Sequence, residues 1–103
     1  MRKLQPIHPG EILLEEFLEP IGLTPTGLAK ELKLPPRKIH EIVRGERPIS
    51  AETSLRLACY FGSSERFWLN LQTHYDVVVE KKRLGSRLRR EVKRFKKPVF
   101  STT

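Results

Sequence analysis

Cysteine and long apolar runs are scarce in this chain of 103 residues, and each shortage narrows the classes of protein that it can form. Cys59 is the single cysteine, so an internal disulfide is impossible and a closed zinc site lacks thiolate ligands. The apolar neighbours of Cys59 predict a small buried thiol. No stretch is apolar for long enough to cross a membrane, and the N-terminal segment lacks the hydrophobic block of a signal peptide. We therefore expect a cytoplasmic protein without a membrane role.

Groupings of residues that support catalysis or cofactor binding are also missing. His8, His40 and His74 lie far apart and have no HExxH or CxxC companions, so no metal site is expected. Glu15 and Glu16 are adjacent and would point in different directions on a helix, which does not suit paired acid and base catalysis. The sequence also contains no glycine-rich phosphate loop and no nucleophile motif. We predict a protein that is not an enzyme and that needs no cofactor.

Positive charge is abundant but unevenly distributed. The chain has 20 Lys and Arg against 12 Asp and Glu, a formal net charge of +8. Residues 1–80 contain 10 basic and 11 acidic side chains, whereas residues 81–103 contain 10 basic and 1 acidic. The whole excess therefore belongs to the C-terminal segment, and the overall charge says little about the rest. We divide the chain into a domain over residues 1–83 and a basic extension over residues 84–103.

Helical periodicity and end signals predict an all-α domain of five helices. The first helix is expected from Pro9 to about Glu19, because Pro20 and Gly22 should end it. A helical domain of this size can bury an adequate core without a second domain.

The fourth helix is predicted between an N-cap at Ser50 and a stop at Gly62. The fifth is predicted to begin at Glu65, after a cap from one of the two preceding serines, and to run to about Arg83. The inward-facing residues of the fourth helix are expected to be Leu55, Ala58 and either Leu57 or Phe61.

Residues 24–45 indicate two short helices joined by a tight turn. Thr24 supplies a hydroxyl N-cap before Pro25, and the pair Pro35 and Pro36 ends one segment and opens the next. Gly45 provides a left-handed stop for the second helix. Each helix has one apolar side, formed by Leu28, Ala29 and Leu32 in the first and by Ile39, Ile42 and Val43 in the second.

The exposed side of the second of these helices has long polar side chains that suit contact with DNA. An apolar rear and a basic front let a helix enter the major groove, because arginine meets guanine acceptors with two donors while other cations hold phosphates. The predicted base contacts are Pro36, Arg37, His40 and Glu41, with Glu41 accepting from a cytosine amino group. The predicted phosphate contacts are Thr24, Lys38, Arg44 and Arg47. The alternative interpretation is an ordinary solvated face.

The fifth predicted helix has more apolar residues than a small domain can bury. Phe67 and Leu71 are expected to fill the core, and the alternative is that the whole apolar side does so. We predict instead that a row at spacings of three and four forms the interface of a twofold homodimer, namely Trp68, Leu71, Tyr75 and Val78.

The basic extension begins where Gly85 and Ser86 interrupt the fifth helix. Leu88, Val92 and Phe95 recur at a helical spacing and predict a second amphipathic helix that ends by Pro98. Its basic face is predicted to contact phosphate. An anionic membrane, a protein partner and plain solvation are the alternatives.

Several motifs in the sequence resemble one protein family. The segments LAKEL, PPRKIHEIVRGERPIS and AETSLRLACYFG resemble the helix-turn-helix of the Cro and phage-repressor superfamily. More narrowly, HPGEILLEEFLEP and FWLNLQTHYD resemble the HigA/VapI antitoxins, so that the resemblance covers about residues 7–76.

That resemblance implies a repressor-like fold and a set of partners. Such a protein binds double-stranded DNA, represses its own operon and neutralises a RelE-like or HigB-like toxin that cuts messenger RNA. As a homodimer it would place two recognition helices about 34 Å apart, which matches an inverted-repeat operator. The alternatives are a solitary regulator without a toxin and a basic RNA-binding or structural protein.

Overall fold

Six helices and no strand occur in the part of the chain that the computed structural model describes, residues 6–96. Helix α1 consists of three consecutive segments, Pro9–Ile12, Leu13–Leu18 and Glu19–Ile21, of which the middle one is π-helical. The others are α2 (Pro25–Leu32), α3 (Pro36–Val43), α4 (Ala51–Phe61), α5 (Phe67–Leu84) and α6 (Arg87–Glu91). The all-α prediction is confirmed, and the sixth helix lies in the basic extension.

Helix α1 starts as predicted but ends differently. The Nδ1 atom of His8 accepts a 2.8 Å hydrogen bond from the backbone N–H of Gly10 and thereby caps the helix. Pro20 does not end the helix, contrary to prediction, but lies in its last turn. A proline in a regular α-helix clashes with the carbonyl four residues earlier, and the wider π-helical turn before Pro20 gives the ring room. The stop is Gly22, with φ of 69°.

Helices α2 and α3 form the predicted pair joined by a short turn. The hydroxyl of Thr24 caps α2 by accepting a 3.0 Å hydrogen bond from the N–H of Gly27. Lys33 ends α2 in the left-handed region, with φ of 61°, and α3 begins at Pro36. Their inner sides are buried as predicted, with Val43 only half-buried and the rest fully or nearly enclosed, namely Leu28, Ala29, Leu32, Ile39 and Ile42.

The core joins α1 to α5. Phe17 of α1 packs its ring against Phe61, Phe67 and Trp68, with ring centres 5.1, 6.0 and 4.8 Å away. These aromatic contacts tie α1 to both α4 and α5. The remaining core is aliphatic and includes Leu13, Leu18, Leu34, Ile49 and Leu57, together with the buried residues of α2 and α3.

Three predictions for α4 and α5 are wrong. Leu55 is 49% exposed, because the inner side of α4 is formed by Thr53 and Ser54 together with Leu57 and Ala58, of which the last two were predicted. The same orientation of α4 leaves Cys59 exposed instead of buried. Helix α5 begins at Phe67, later than predicted, and no side chain of residues 6–96 caps it. The predicted cap at Ser50 and stop at Gly62 are confirmed for α4.

The basic extension does not form the long amphipathic helix that was predicted. Helix α6 ends at Glu91, and the backbone of Val92 is extended. Continuing the helix would place like charges four residues apart, as in the pair Arg89 and Lys93, which is unfavourable. The predicted stop at Pro98 lies outside the described residues. Over residues 6–96, no helix is both long and apolar enough to cross a bilayer.

Candidate nucleic-acid interface

Helix α3 is supported from behind by close packing against α1. Ile39 and Ile42 are fully buried. The backbone of Gly10 lies directly on the carbonyl of Ile42, and a Cβ atom on Gly10 would be 1.7 Å from that oxygen, so only glycine fits. Gly45, which follows α3 with φ of 77°, lies beside the ring of His8. These contacts fix the helix so that its opposite side faces solvent.

The solvent side of α3 contains a cluster of two arginines around one carboxylate. Glu41 accepts a hydrogen bond from Nε of Arg37 at 3.0 Å and forms an ion pair with Nη2 of Arg47 at 2.7 Å. Hydrogen bonds from Arg47 and Arg37 hold the pKa of the Glu41 carboxyl below its ordinary value. The side chain of Glu41 is 19% exposed, whereas that of Arg37 is 85% exposed. The carboxylate therefore orients the arginines and leaves the terminal donors of Arg37 accessible.

A second polar contact links α3 to the start of α2. Nε2 of His40 lies 2.9 Å from the hydroxyl oxygen of Thr26, so the two helices of the pair are joined on their solvent side as well as in the core. The hydroxyl of Thr24 is engaged in its own cap. This leaves the N-terminal end of α2 beside His40.

The remaining predicted contact residues of α3 differ in exposure and in their partners. Pro36 is exposed at the start of α3, and Lys38 is half-buried. Arg44 is exposed and pairs with Glu46 at 3.3 Å. The structure thus brings Arg37, Glu41 and Arg47 into direct contact. Pro36, Lys38 and Arg44 lie on or at the end of the same helix.

Sequence reasoning missed two residues that position this surface. Gln72 is buried in α5, and its side-chain carbonyl accepts a 2.8 Å hydrogen bond from the backbone N–H of Ile49, in the loop that follows α3. Arg56 of α4 donates from Nη1 to the carbonyl of Leu32, at the end of α2. The only sequence signal for Gln72 is that it is a polar residue within an apolar helical stripe. The sequence gives no signal for Arg56.

The predicted dimer row on α5 is divided by the structure. Trp68 has no exposed surface and belongs to the core, so its assignment to an interface is wrong. Leu71 packs against the same core and is half-buried, as are Tyr75 and Val78. Tyr75 packs against His8 edge to face, with 4.9 Å between ring centres. Part of the apolar side of α5 is thus covered by α1 and the segment before it.

Metal-binding groups are not clustered on this surface or elsewhere in the described part of the chain. No group of three or more His, Cys, Asp or Glu side chains there is placed to hold an ion.

A buried helix, a short turn and a second helix with an arginine-rich solvent side together define a helix-turn-helix DNA-binding protein. A family model described as helix-turn-helix matches residues 14–68, and the chain belongs to this family. Its relatives identify the chain more narrowly as a member of the HigA/VapI antitoxin type.

Three similar proteins illustrate this membership. Virulence-associated protein I of Dichelobacter nodosus is 56% identical over 71 residues, which are 69% of this chain and 66% of the relative. Antitoxin HigA-1 of Vibrio cholerae is 32% identical over 98 residues, or 95% of this chain and 88% of the relative. The solved structure of Pseudomonas aeruginosa antitoxin HigA with the higBA promoter has a TM-score of 0.83 and 38% identity, covering 93% of this chain and 100% of that one.

Proposed function

We propose that this protein is a transcriptional repressor that binds an inverted-repeat operator as a homodimer, and that it is the antitoxin for a RelE-like or HigB-like toxin that cuts messenger RNA. The observation behind the proposal is the solvent side of α3, where one carboxylate orients Arg37 and Arg47 on a helix with a buried rear.

The contacts with DNA follow from this geometry. Arg37 enters the major groove and reads a guanine through two donors, with Pro36 and His40 beside it. Glu41 holds the arginine in its extended form and is placed to accept from an adjacent cytosine amino group. The phosphate contacts come from Thr24, Lys38, Arg44 and Arg47, and they set the register of the helix.

A homodimer is needed for two copies of α3 to reach successive major grooves. Leu71, Tyr75 and Val78 lie in a row on α5 and are half-buried, so they retain apolar surface that a second copy would cover. A twofold pairing through this row presents both recognition helices on one side, about one helical turn apart.

The toxin partner is supported by the names of the relatives. Antitoxin HigA-1 is similar to this chain over 95% of its length, and the solved neighbour is described as an antitoxin with its promoter. Relatives described only as transcriptional regulators also match, for example one from Haemophilus influenzae at 40% identity. A solitary regulator is therefore the second candidate function, and a basic RNA-binding protein is the third.

Selection from a random duplex pool tests the DNA-binding part of the proposal. The full chain should enrich one inverted repeat, and Arg37→Ala should reduce the preference for that repeat over random duplex by about ten-fold to a hundred-fold, since one bidentate contact contributes about 1–3 kcal/mol of discrimination. Arg66→Ala is the matched control, because Arg66 is exposed just before α5 and forms no ion pair within residues 6–96. An unchanged preference in Arg37→Ala would show that this residue does not read bases.

Co-expression with the neighbouring reading frames tests the toxin part. An antitoxin should copurify with a small toxin and restore growth of cells that express it. Operator binding without such a partner would assign the protein to the solitary regulators instead.

A further inference from the structure

A second cluster of cations lies outside α3. Residues 81–96, called here the basic arm, contain nine Lys and Arg side chains, all of them exposed, and one carboxylate, Glu91. The ion pairs of the arm are local, with Arg83 bound to Glu80 and Arg87 bound to Glu91. No other ion pair involves the arm within residues 6–96.

Seven of the nine cations have no acidic partner in residues 6–96, namely Lys81, Lys82, Arg89, Arg90, Lys93, Arg94 and Lys96. Of these, Arg90 donates to the hydroxyl of Ser86. Such a density of unpaired like charge is unfavourable by itself and is stabilised when a polyanion approaches. A partner with closely spaced negative charges would therefore bind favourably to the arm.

The arm starts close to the end of α3. Gly45 lies beside the ring of His8, which packs against Tyr75 with 4.9 Å between ring centres. Lys82 lies two helical turns beyond Tyr75, and both side chains line one small cavity. Because a helix rises about 1.5 Å per residue, the stretch from Tyr75 to Lys82 adds about 10 Å to these two contacts, so the arm begins within roughly 20 Å of the end of α3. That distance is shorter than one turn of duplex, about 34 Å.

The backbone of the arm argues against a membrane or a helix-binding partner. Leu88, Val92 and Phe95 would form a continuous apolar stripe only if the helix continued beyond Glu91, and it does not. Membrane surfaces and helix-binding grooves both require such a stripe. Lys93, Arg94 and Lys96 instead follow the end of α6 without helical structure, and such a run of cations suits a row of phosphates.

We propose that the basic arm binds the phosphates of the duplex that flank the site read by α3. This inference rests on the proposed function and adds to it a second contact that is independent of base sequence. The arm lengthens the duplex that each protomer covers, and it increases the number of counterions released on binding.

Duplex length and salt concentration provide the test. The probes are the inverted repeat selected by the full chain, either with blunt ends or extended by about 10 random base pairs on each side, roughly one further turn of duplex. Wild-type protein should bind the extended duplex at least ten-fold more tightly than the short one. A full-length variant with Arg89→Gln, Lys93→Gln, Arg94→Gln and Lys96→Gln should bind both with equal affinity. Its plot of log affinity against log salt should be shallower by about 1 for each lost phosphate contact.

Two further variants separate this inference from the proposed function. Arg37→Ala should lose sequence preference yet keep the advantage of the extended duplex. Arg66→Gln, an exposed arginine of the body, should leave that advantage unchanged, whereas Arg94→Gln should reduce it.

Each outcome decides one of the two questions. If flanking base pairs increase the affinity of wild-type protein and of the variant with four substitutions equally, the proposed role of the arm is overturned. It is also overturned if that variant loses affinity for RNA but not for duplex DNA. If no sequence is enriched in the selection, the proposed function fails, while binding of the arm remains measurable on random duplexes of two lengths.

Discussion

The side-chain carbonyl of Gln72 accepts a hydrogen bond from the backbone N–H of Ile49 at 2.8 Å and anchors the loop after α3 to α5. Gln72 also donates to Asp76 at 3.0 Å, so both ends of its amide are bound. A buried amide that bridges two elements in this way is a structural residue, although it is polar.

Replacing Gln72 by Leu should therefore destabilise the fold. The N–H of Ile49 would be buried without an acceptor, at a cost of about 1–3 kcal/mol. Urea unfolding checks the value, with Thr73→Ala as a control on the adjacent exposed position. Similar unfolding free energies for the two variants would mean that water or another group satisfies this N–H.

The contact between Gly10 and Ile42 makes a second prediction. Gly10→Ala would force the added methyl group into a backbone carbonyl, which cannot move as a side-chain end can. We expect a loss of about 2–3 kcal/mol from overpacking and a lower melting temperature by roughly 10 °C or more.

Glu16→Ala is the control for that variant, because Glu16 lies on the exposed side of the same helix and such substitutions cost less than about 0.5 kcal/mol. A melting temperature of Gly10→Ala equal to that of Glu16→Ala would show that α1 can separate from α3 without loss.

His8 should make stability depend on pH. Burial lowers its pKa below the ordinary value of 6.5, against the opposing influence of Asp76 and Glu11. The unfolded chain then binds the proton more readily than the folded one. The contribution of His8 to the free energy of unfolding is therefore largest above about pH 6.5 and decreases as the pH drops below that value. Protonation of Nδ1 would also remove the acceptor that caps α1.

The test is chemical unfolding of wild-type protein and His8→Asn between pH 7.5 and 5.5. Asparagine retains a capping oxygen and does not titrate, so its stability should fall less over this range. Parallel curves for the two proteins would exclude His8 as the group responsible.

Glu41 offers a prediction about specificity. Glu41→Gln keeps the size of the side chain but weakens its hold on Arg37 and Arg47, so sequence preference should fall by about ten-fold, within the discrimination expected of one base contact. Glu46→Gln is the matched control, since within residues 6–96 Glu46 pairs only with Arg44. Competition binding with random duplex measures both, and equal preferences would show that the arginines need no orienting carboxylate.

The sequence allowed the local features of this site to be predicted, because they depend on neighbouring residues. Thr24 and Ser50 are caps, and the spacing of Arg37 and Glu41 already suits an ion pair on one helix. Arg47 joins that pair only because Gly45 turns the chain back after α3, a consequence of backbone geometry.

Long-range packing could not be predicted in the same way. The many apolar residues of α5 predict an interface at Trp68, whereas its ring packs in the core against Phe17, from the other end of the domain. The exposure of Leu55 is set by which side of α4 faces the core. That side contains Thr53 and Ser54, which are buried, and not Leu55.

The dimer is open to a direct test at Val78. This residue is half-buried on the row with Leu71 and Tyr75, so Val78→Asp would place a charge in the proposed interface. Sedimentation at micromolar concentration should then show a monomer, and operator binding should weaken because each half-site is bound separately.

Val77→Asp is the matched control, because Val77 is the adjacent valine, is 46% exposed and lies off that row. It should remain dimeric with its operator affinity unchanged. If Val77→Asp dissociates the dimer while Val78→Asp does not, the interface lies on the other side of α5, and the two recognition helices must be related by a different twofold axis.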